Sequence, residues 1–159
     1  MAEPELKLTR AHLARNARFV VTYTLSPKNG SKEVRTFRVE VSGNRARLEY
    51  EDASLGAVRY LVNEKGAFFH IPASKAAQRL QMRGGIDQAL GLAYAQVASE
   101  MRGAKRVGAA KVSGQPTDIY KNPRTGTTIY MGTHPGFRLP VKMETQNEGG
   151  RSTLLASQI

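Results

Sequence analysis

The chain contains no cysteine and no tryptophan, and acidic residues are scarce, 13 Asp+Glu against 24 Lys+Arg in 159 residues. Without cysteine there is no disulfide, no thiolate metal site and no cysteine nucleophile. With three histidines, His12, His70 and His134, a three-histidine zinc centre would need all of them. No apolar stretch of secretory-signal length lies near Met1, and no run approaches the ~18 residues of a membrane span. Absent too are an HExxH helix, a nucleophile elbow and a phosphate loop. The hydrophobic fraction of 40% is that of a folded domain, and the length suits a single one.

The shortage of acid leaves a net charge of +11. A basic domain is the footprint of a polyanionic partner, provided that the charge gathers into a patch or stripe. Here it is spread out. Residues 1–80 carry 14 basic and 8 acidic side chains and the remainder 10 and 5, with no basic run of four. The densest stretch, Lys32, Arg35, Arg38, Arg45 and Arg47, is interrupted by Glu33, Glu40, Glu49 and Glu51. It alternates with Phe37, Val39, Val41, Leu48 and Tyr50, as the wet face of a hairpin does. This argues against a nucleic-acid surface.

Residues 1–16 form an N-terminal segment with weak helical spacing. From Ala17 the period is two: Phe19, Val21, Tyr23 and Leu25 share one face, and the Asn29-Gly30 turn supplies the positive φ of a tight reversal. Return strands follow at 34–41, 45–51, 58–62 and 67–71, making a five-strand meander over 17–71. The last two are apolar on both faces, which predicts cover on both sides of the sheet. After Pro72 the pattern changes. Residues 73–82 read as a short helix broken at Gly84-Gly85. Ile86, Ala89, Leu90, Ala93, Tyr94, Val97 and Met101 then recur at three and four, as in a helix with a wide apolar face that ends at Gly103. This helical insert, 73–103, is followed by a second meander over 105–159. The fold class is α+β, mainly antiparallel β, with ten or eleven strands. A sheet of that size must curl or close.

Two stretches carry a family likeness. The first is Tyr60-Leu61-Val62-Asn63-Glu64-Lys65-Gly66-Ala67-Phe68-Phe69-His70-Ile71-Pro72, an apolar strand, an acidic-Gly turn, an aromatic strand and a proline. The second is Gly114-Gln115-Pro116-Thr117-Asp118-Ile119-Tyr120 with the later Leu139-Pro140-Val141-Lys142-Met143-Glu144. Together they resemble the bacterial lipoprotein-carrier superfamily, LolA, LolB and the outer-membrane lipoprotein-sorting proteins. The resemblance implies an open, unclosed half β-barrel with a helical lid in its concave side. It also implies a periplasmic or cell-envelope location after export, with no signal peptide in this chain.

Phe19, Tyr23, Phe37, Leu48, Tyr50, Tyr60, Phe69 and Ile71 from the strands, with Leu90, Tyr94, Val97 and Met101 from the helix, are the candidate lining of a cavity for acyl chains. Such chains need dry area and few polar partners. The same residues can equally pack solid as core. Gly84-Gly85 is a candidate hinge. His70, between Phe69 and Ile71, and His134, in a turn, read as ordinary structural or solvent-facing histidines. Glu49 and Glu51 fall on the wet face, and no pair of carboxylates is placed across a cleft. The expectation is a non-enzymatic envelope protein, without cofactor or metal, that binds a lipid, a lipoprotein acyl chain or another hydrophobic ligand. An anionic membrane surface or an acidic protein is a further expected partner. The alternative is a protein-interaction or envelope-stress sensor domain on the same fold, with no ligand cavity.

Overall fold

The computed structural model describes residues 13–52, 56–64, 66–71, 76–80, 90, 93, 94, 97–147, 149–157 and 159. The expectations for 1–12, for Gly84-Gly85 and for most of 81–96 lie outside these residues. Six strands come first: β1 (Asn16–Pro27), β2 (Glu33–Ser42), β3 (Arg45–Asp52), β4 (Gly56–Asn63), β5 (Gly66–Ile71) and β6 (Ala76–Leu80). A short helix α1 (Val97–Met101) precedes β7 (Lys105–Val112), β8 (Gln115–Asn122), β9 (Thr127–Gly132), β10 (Pro140–Asn147) and β11 (Gly150–Ser157). All eleven strands form one antiparallel sheet in the order β6-β5-β4-β3-β2-β1-β11-β10-β9-β8-β7.

This order follows from two meanders joined by their end strands. β1 and β11 pair at the centre, Val21 opposite Ala156 and Tyr23 opposite Leu154. The two outer strands are therefore β6 and β7, those that flank the helical segment. Ten strand spacings of ~4.8 Å would separate them by ~48 Å in a flat sheet. The connection from Leu80 to Lys105 therefore has to travel from one edge to the other. Of its described residues, Leu90, Ala93, Tyr94 and Val97 are all buried in the same core cluster as the strands.

The inner face is the alternation read from the sequence, made continuous across strands. Phe19 stands opposite Val39, Val39 opposite Leu48, Leu48 opposite Tyr60, and Tyr60 opposite Phe69. A parallel row runs Ala17, Val41, Ala46, Val62 and Ala67. The second meander contributes Ile129, Met131, Val141, Met143, Leu154 and Ala156 to the same cluster. A one-residue slip in any pairing would turn these side chains outward, so their burial fixes the register.

The structure corrects one expectation. Residues 76–80 are strand β6, paired with β5 from Ala67 opposite Leu80 to Ile71 opposite Ala76, and not helix. Helix propensities of Ala, Gln, Arg and Leu differ by tenths of a kcal/mol, less than the ladder bonds that the open edge of β5 offers. Later in the expected insert the Tyr94 amide donates to the Leu90 carbonyl at 2.9 Å, and α1 follows. On the outer face of β4 and β5 the expected cover is partial among the described residues. Leu61 and Phe68 face each other there, each half-buried.

Candidate functional site

The inner face and the helical segment across it bring most of the expected lining together. Phe19, Leu48, Tyr60, Leu90, Tyr94 and Val97 are buried, and Tyr23, Phe37, Tyr50 and Met101 are half-buried against the same cluster. Ile71 is half-buried at the end of β5. Phe69 occupies the strand position opposite Tyr60. The spacing 90, 93, 94 and 97 is one helical face, so the periodicity read from the sequence is what presses these residues on the sheet.

An aromatic group holds the centre. The Phe19 ring lies 6.3 Å from that of Tyr94 and 5.0 Å from that of Phe137, the latter at 77°, an edge-to-face contact. Phe37 and Tyr50 form a second pair at 5.4 Å. Phe137 was missed by sequence reasoning because it sits beside the turn at His134–Gly136 and outside a regular strand. Its signal was the alternation Phe137, Leu139, Val141. The sheet holds it there by a bridge to Leu13 and by the close approach of Gly132, whose absent side chain leaves room for the Phe137 carbonyl.

Two phenols stand in this apolar interior, and burial pushes both Tyr60 and Tyr94 above the usual tyrosine range, Tyr94 strongly. The Tyr94 hydroxyl is fully enclosed and has no hydrogen-bond partner among the described residues. Polar contacts concentrate instead at the C-terminal end of α1. The side-chain amide of buried Asn122 donates to the Glu100 carbonyl at 2.8 Å and the Arg102 carbonyl at 3.1 Å. The Thr125 hydroxyl donates to the Glu100 carboxylate at 2.6 Å. Carbonyls that a helix end leaves open are thereby satisfied, and the helical segment is tied to the β8–β9 turn.

The outer face carries the charge. Arg18 pairs with Glu40, Arg45 with Glu64, Arg47 and Arg59 with Glu49, and Lys142 and Arg151 with Glu144. Arg38, Arg45 and Arg47 are exposed, as alternation required. Arg35 differs. It shares the inner pleat with Phe37 and Val39, opposite Tyr23, but lies near the strand end, where it is exposed and pairs with Glu33 at 3.0 Å. His70 is half-buried on the outer pleat opposite Arg59 and Ala77. His134 is exposed, and its Nδ1 accepts from the Gly136 amide at 3.0 Å. An open groove of about 720 Å³ lies at one end of β1–β4, lined by the inner-row residues Ala17, Val41, Ala46 and Val62 together with charged Arg18, Glu40, Arg45 and Glu64. It thus joins the end of the inner face to a rim of mixed charge.

No family model matches the sequence, and no curated protein matches it. Solved structures similar in fold do exist. One is a LolA superfamily protein from Nitrosomonas europaea, 11% identical, with a TM-score of 0.44 over 93% of this chain and 87% of the other. Another is the lipoprotein LppX of Mycobacterium tuberculosis, 13% identical, with a TM-score of 0.47 over 91% and 85%. A third is MucB in the MucA/MucB complex of Pseudomonas aeruginosa, 13% identical, with a TM-score of 0.43. It covers 91% of this chain, which spans about half (51%) of that longer chain.

Proposed function

We propose that the protein binds an acyl chain, of a lipid or of a lipoprotein, on the inner face of its sheet, which curves as a half-barrel, and that it does so by displacement of the helical segment and without catalysis. The observation that carries this reading is the apolar seam between Leu90, Ala93, Tyr94 and Val97 and the row Phe19, Leu48 and Tyr60. After that seam the chain is tied to the β8–β9 turn through Asn122 and Thr125. A segment held on the sheet by apolar contact can give way to a ligand that offers the sheet the same contact. Lifting those four side chains off the sheet costs at most roughly 5–8 kcal/mol at ~25 cal/mol per Å², since a chain lying between helix and sheet covers them again. An acyl chain of about fourteen methylenes gains about 0.8 kcal/mol for each one buried, roughly 11 kcal/mol in all. Exchange of helix for ligand is therefore affordable.

The motifs at 60–72 and 114–120 with 139–144, which resemble those of the lipoprotein carriers, support the same reading and a place in the cell envelope. Mass spectrometry of gently purified protein tests it. Co-purifying lipid, and a melting temperature raised by added acyl ligand, are expected. A chain that never carries lipid and whose melting temperature ignores such ligands refutes it.

A second reading has its own observation. β7 is an outer strand of eight residues of which six are exposed. Among the described residues nothing pairs with its outward edge, a position where an extended segment of a partner can add a strand. Pull-down of an acidic protein that fails after Ala109→Pro would favour this interaction role.

A further inference from the structure

The Tyr94 hydroxyl is the one buried side-chain polar atom among the described residues left without a hydrogen bond. Such orphans are rare, because a desolvated hydroxyl without a partner costs free energy that phenylalanine at the same place would avoid. Tyr94 packs as a phenylalanine would, 2% exposed, with its ring against Phe19 in the seam between helix and sheet. A partner for the hydroxyl can therefore come from whatever enters the seam.

Resting on the acyl-binding reading, we infer that the Tyr94 hydroxyl is the polar anchor of the site and donates a hydrogen bond to the ester or amide carbonyl that heads the acyl chain. The chemistry matches on both sides. A neutral phenol offers one donor, and burial keeps Tyr94 protonated well beyond the ordinary tyrosine range. The first polar group of any acylated lipid is a carbonyl, which only accepts. An ionised carboxylate fits less well, since a charge brought into this apolar seam would need a cationic partner. The site thus selects esterified or amidated acyl chains over free fatty acids, and it sets how deep the chain lies: carbonyl at Tyr94, hydrocarbon along Phe19 and Leu48.

The test compares wild type with Tyr94→Phe, using methyl hexadecanoate and heptadecane as probes that displace a bound naphthylamine dye. Wild type is expected to bind the ester about three- to tenfold more tightly than the alkane, the yield of one neutral hydrogen bond. Tyr94→Phe should bring the two to parity through loss of ester affinity alone, and should melt no lower than wild type when empty. Infrared spectra of ester labelled with ¹³C at the carbonyl provide a second measure. The carbonyl stretch is lowered in wild type and unshifted in Tyr94→Phe. If wild type binds both probes and the substitution changes neither the ratio nor the stretch, the anchor is refuted while acyl binding stands. If wild type binds neither probe, acyl binding itself fails, and the anchor with it.

Discussion

The side chain of Asn122 closes the backbone of Glu100. Its amide nitrogen lies 2.8 Å from the Glu100 carbonyl and reaches Arg102 as well, while its own oxygen accepts from the Arg124 amide at 3.0 Å. One buried residue at the end of β8 therefore serves as C-cap for α1 and as the brace of the β8–β9 turn. It makes the fixed end of the segment that covers the inner face.

Asn122→Ala removes three hydrogen bonds and leaves the Glu100 and Arg102 carbonyls without that partner, and is expected to destabilise the protein by about 1–3 kcal/mol. Amide exchange should quicken most over residues 97–104, because the loss is local. Hydrogen exchange followed by mass spectrometry checks this. Uniform quickening across the sheet would mean that Asn122 supports the whole fold and not the lid.

The edge-to-face pair of Phe19 and Phe137 links the first meander to the second. Phe19→Ala should cost about 3–5 kcal/mol, as truncation of a fully buried aromatic does. A double-mutant cycle with Phe137→Ala should return a coupling of about 0.5–1.5 kcal/mol. Urea unfolding gives both values. A coupling near zero would show that the two rings are merely neighbours.

Alkaline pH should weaken the fold through Tyr94 and Tyr60. Both are held above the usual tyrosine value of 10.0 by burial. Their contribution is fully present below pH ~10, where folded and unfolded chains alike keep the protons. Above that the unfolded chain loses protons that the folded chain retains, so stability falls by up to about 1.4 kcal/mol per pH unit for each phenol. Tyr94→Phe should reduce that slope. Denaturant midpoints between pH 9 and 11 test it, and an unchanged slope in the variant would contradict the burial of this phenol.

The basic outer face should hold the protein on anionic vesicles at low salt and release it as salt rises. Exposed charges farther apart than ~8 Å are screened at physiological ionic strength. Sedimentation with phosphatidylglycerol vesicles at 20 mM and 500 mM salt measures this. Binding that survives high salt would point to insertion of apolar groups instead. Within that face, Glu49→Gln should change the melting temperature little despite its two arginine partners, since exposed pairs of this kind contribute ~0–1 kcal/mol.

Much of this architecture is local information. Period-two alternation from Phe19 to Tyr60 predicts both the strands and the face they bury, because a pleated strand has two sides and water accepts one of them. Period 3.6 likewise picks out Leu90, Tyr94 and Val97, and the charge alternation assigns Arg38, Arg45 and Arg47 to solvent. Non-local matters had no such signal. That β1 pairs with β11, and so makes β6 and β7 the edges, depends on contacts more than a hundred residues apart. Residues 76–80 became a strand because β5 had an open edge to fill. Phe137 joined the core because two meanders meet beside its turn. Only the tertiary structure could enclose Tyr94 without a partner for its hydroxyl, since satisfaction of a hydrogen bond is a property of what surrounds a residue and not of the residue itself.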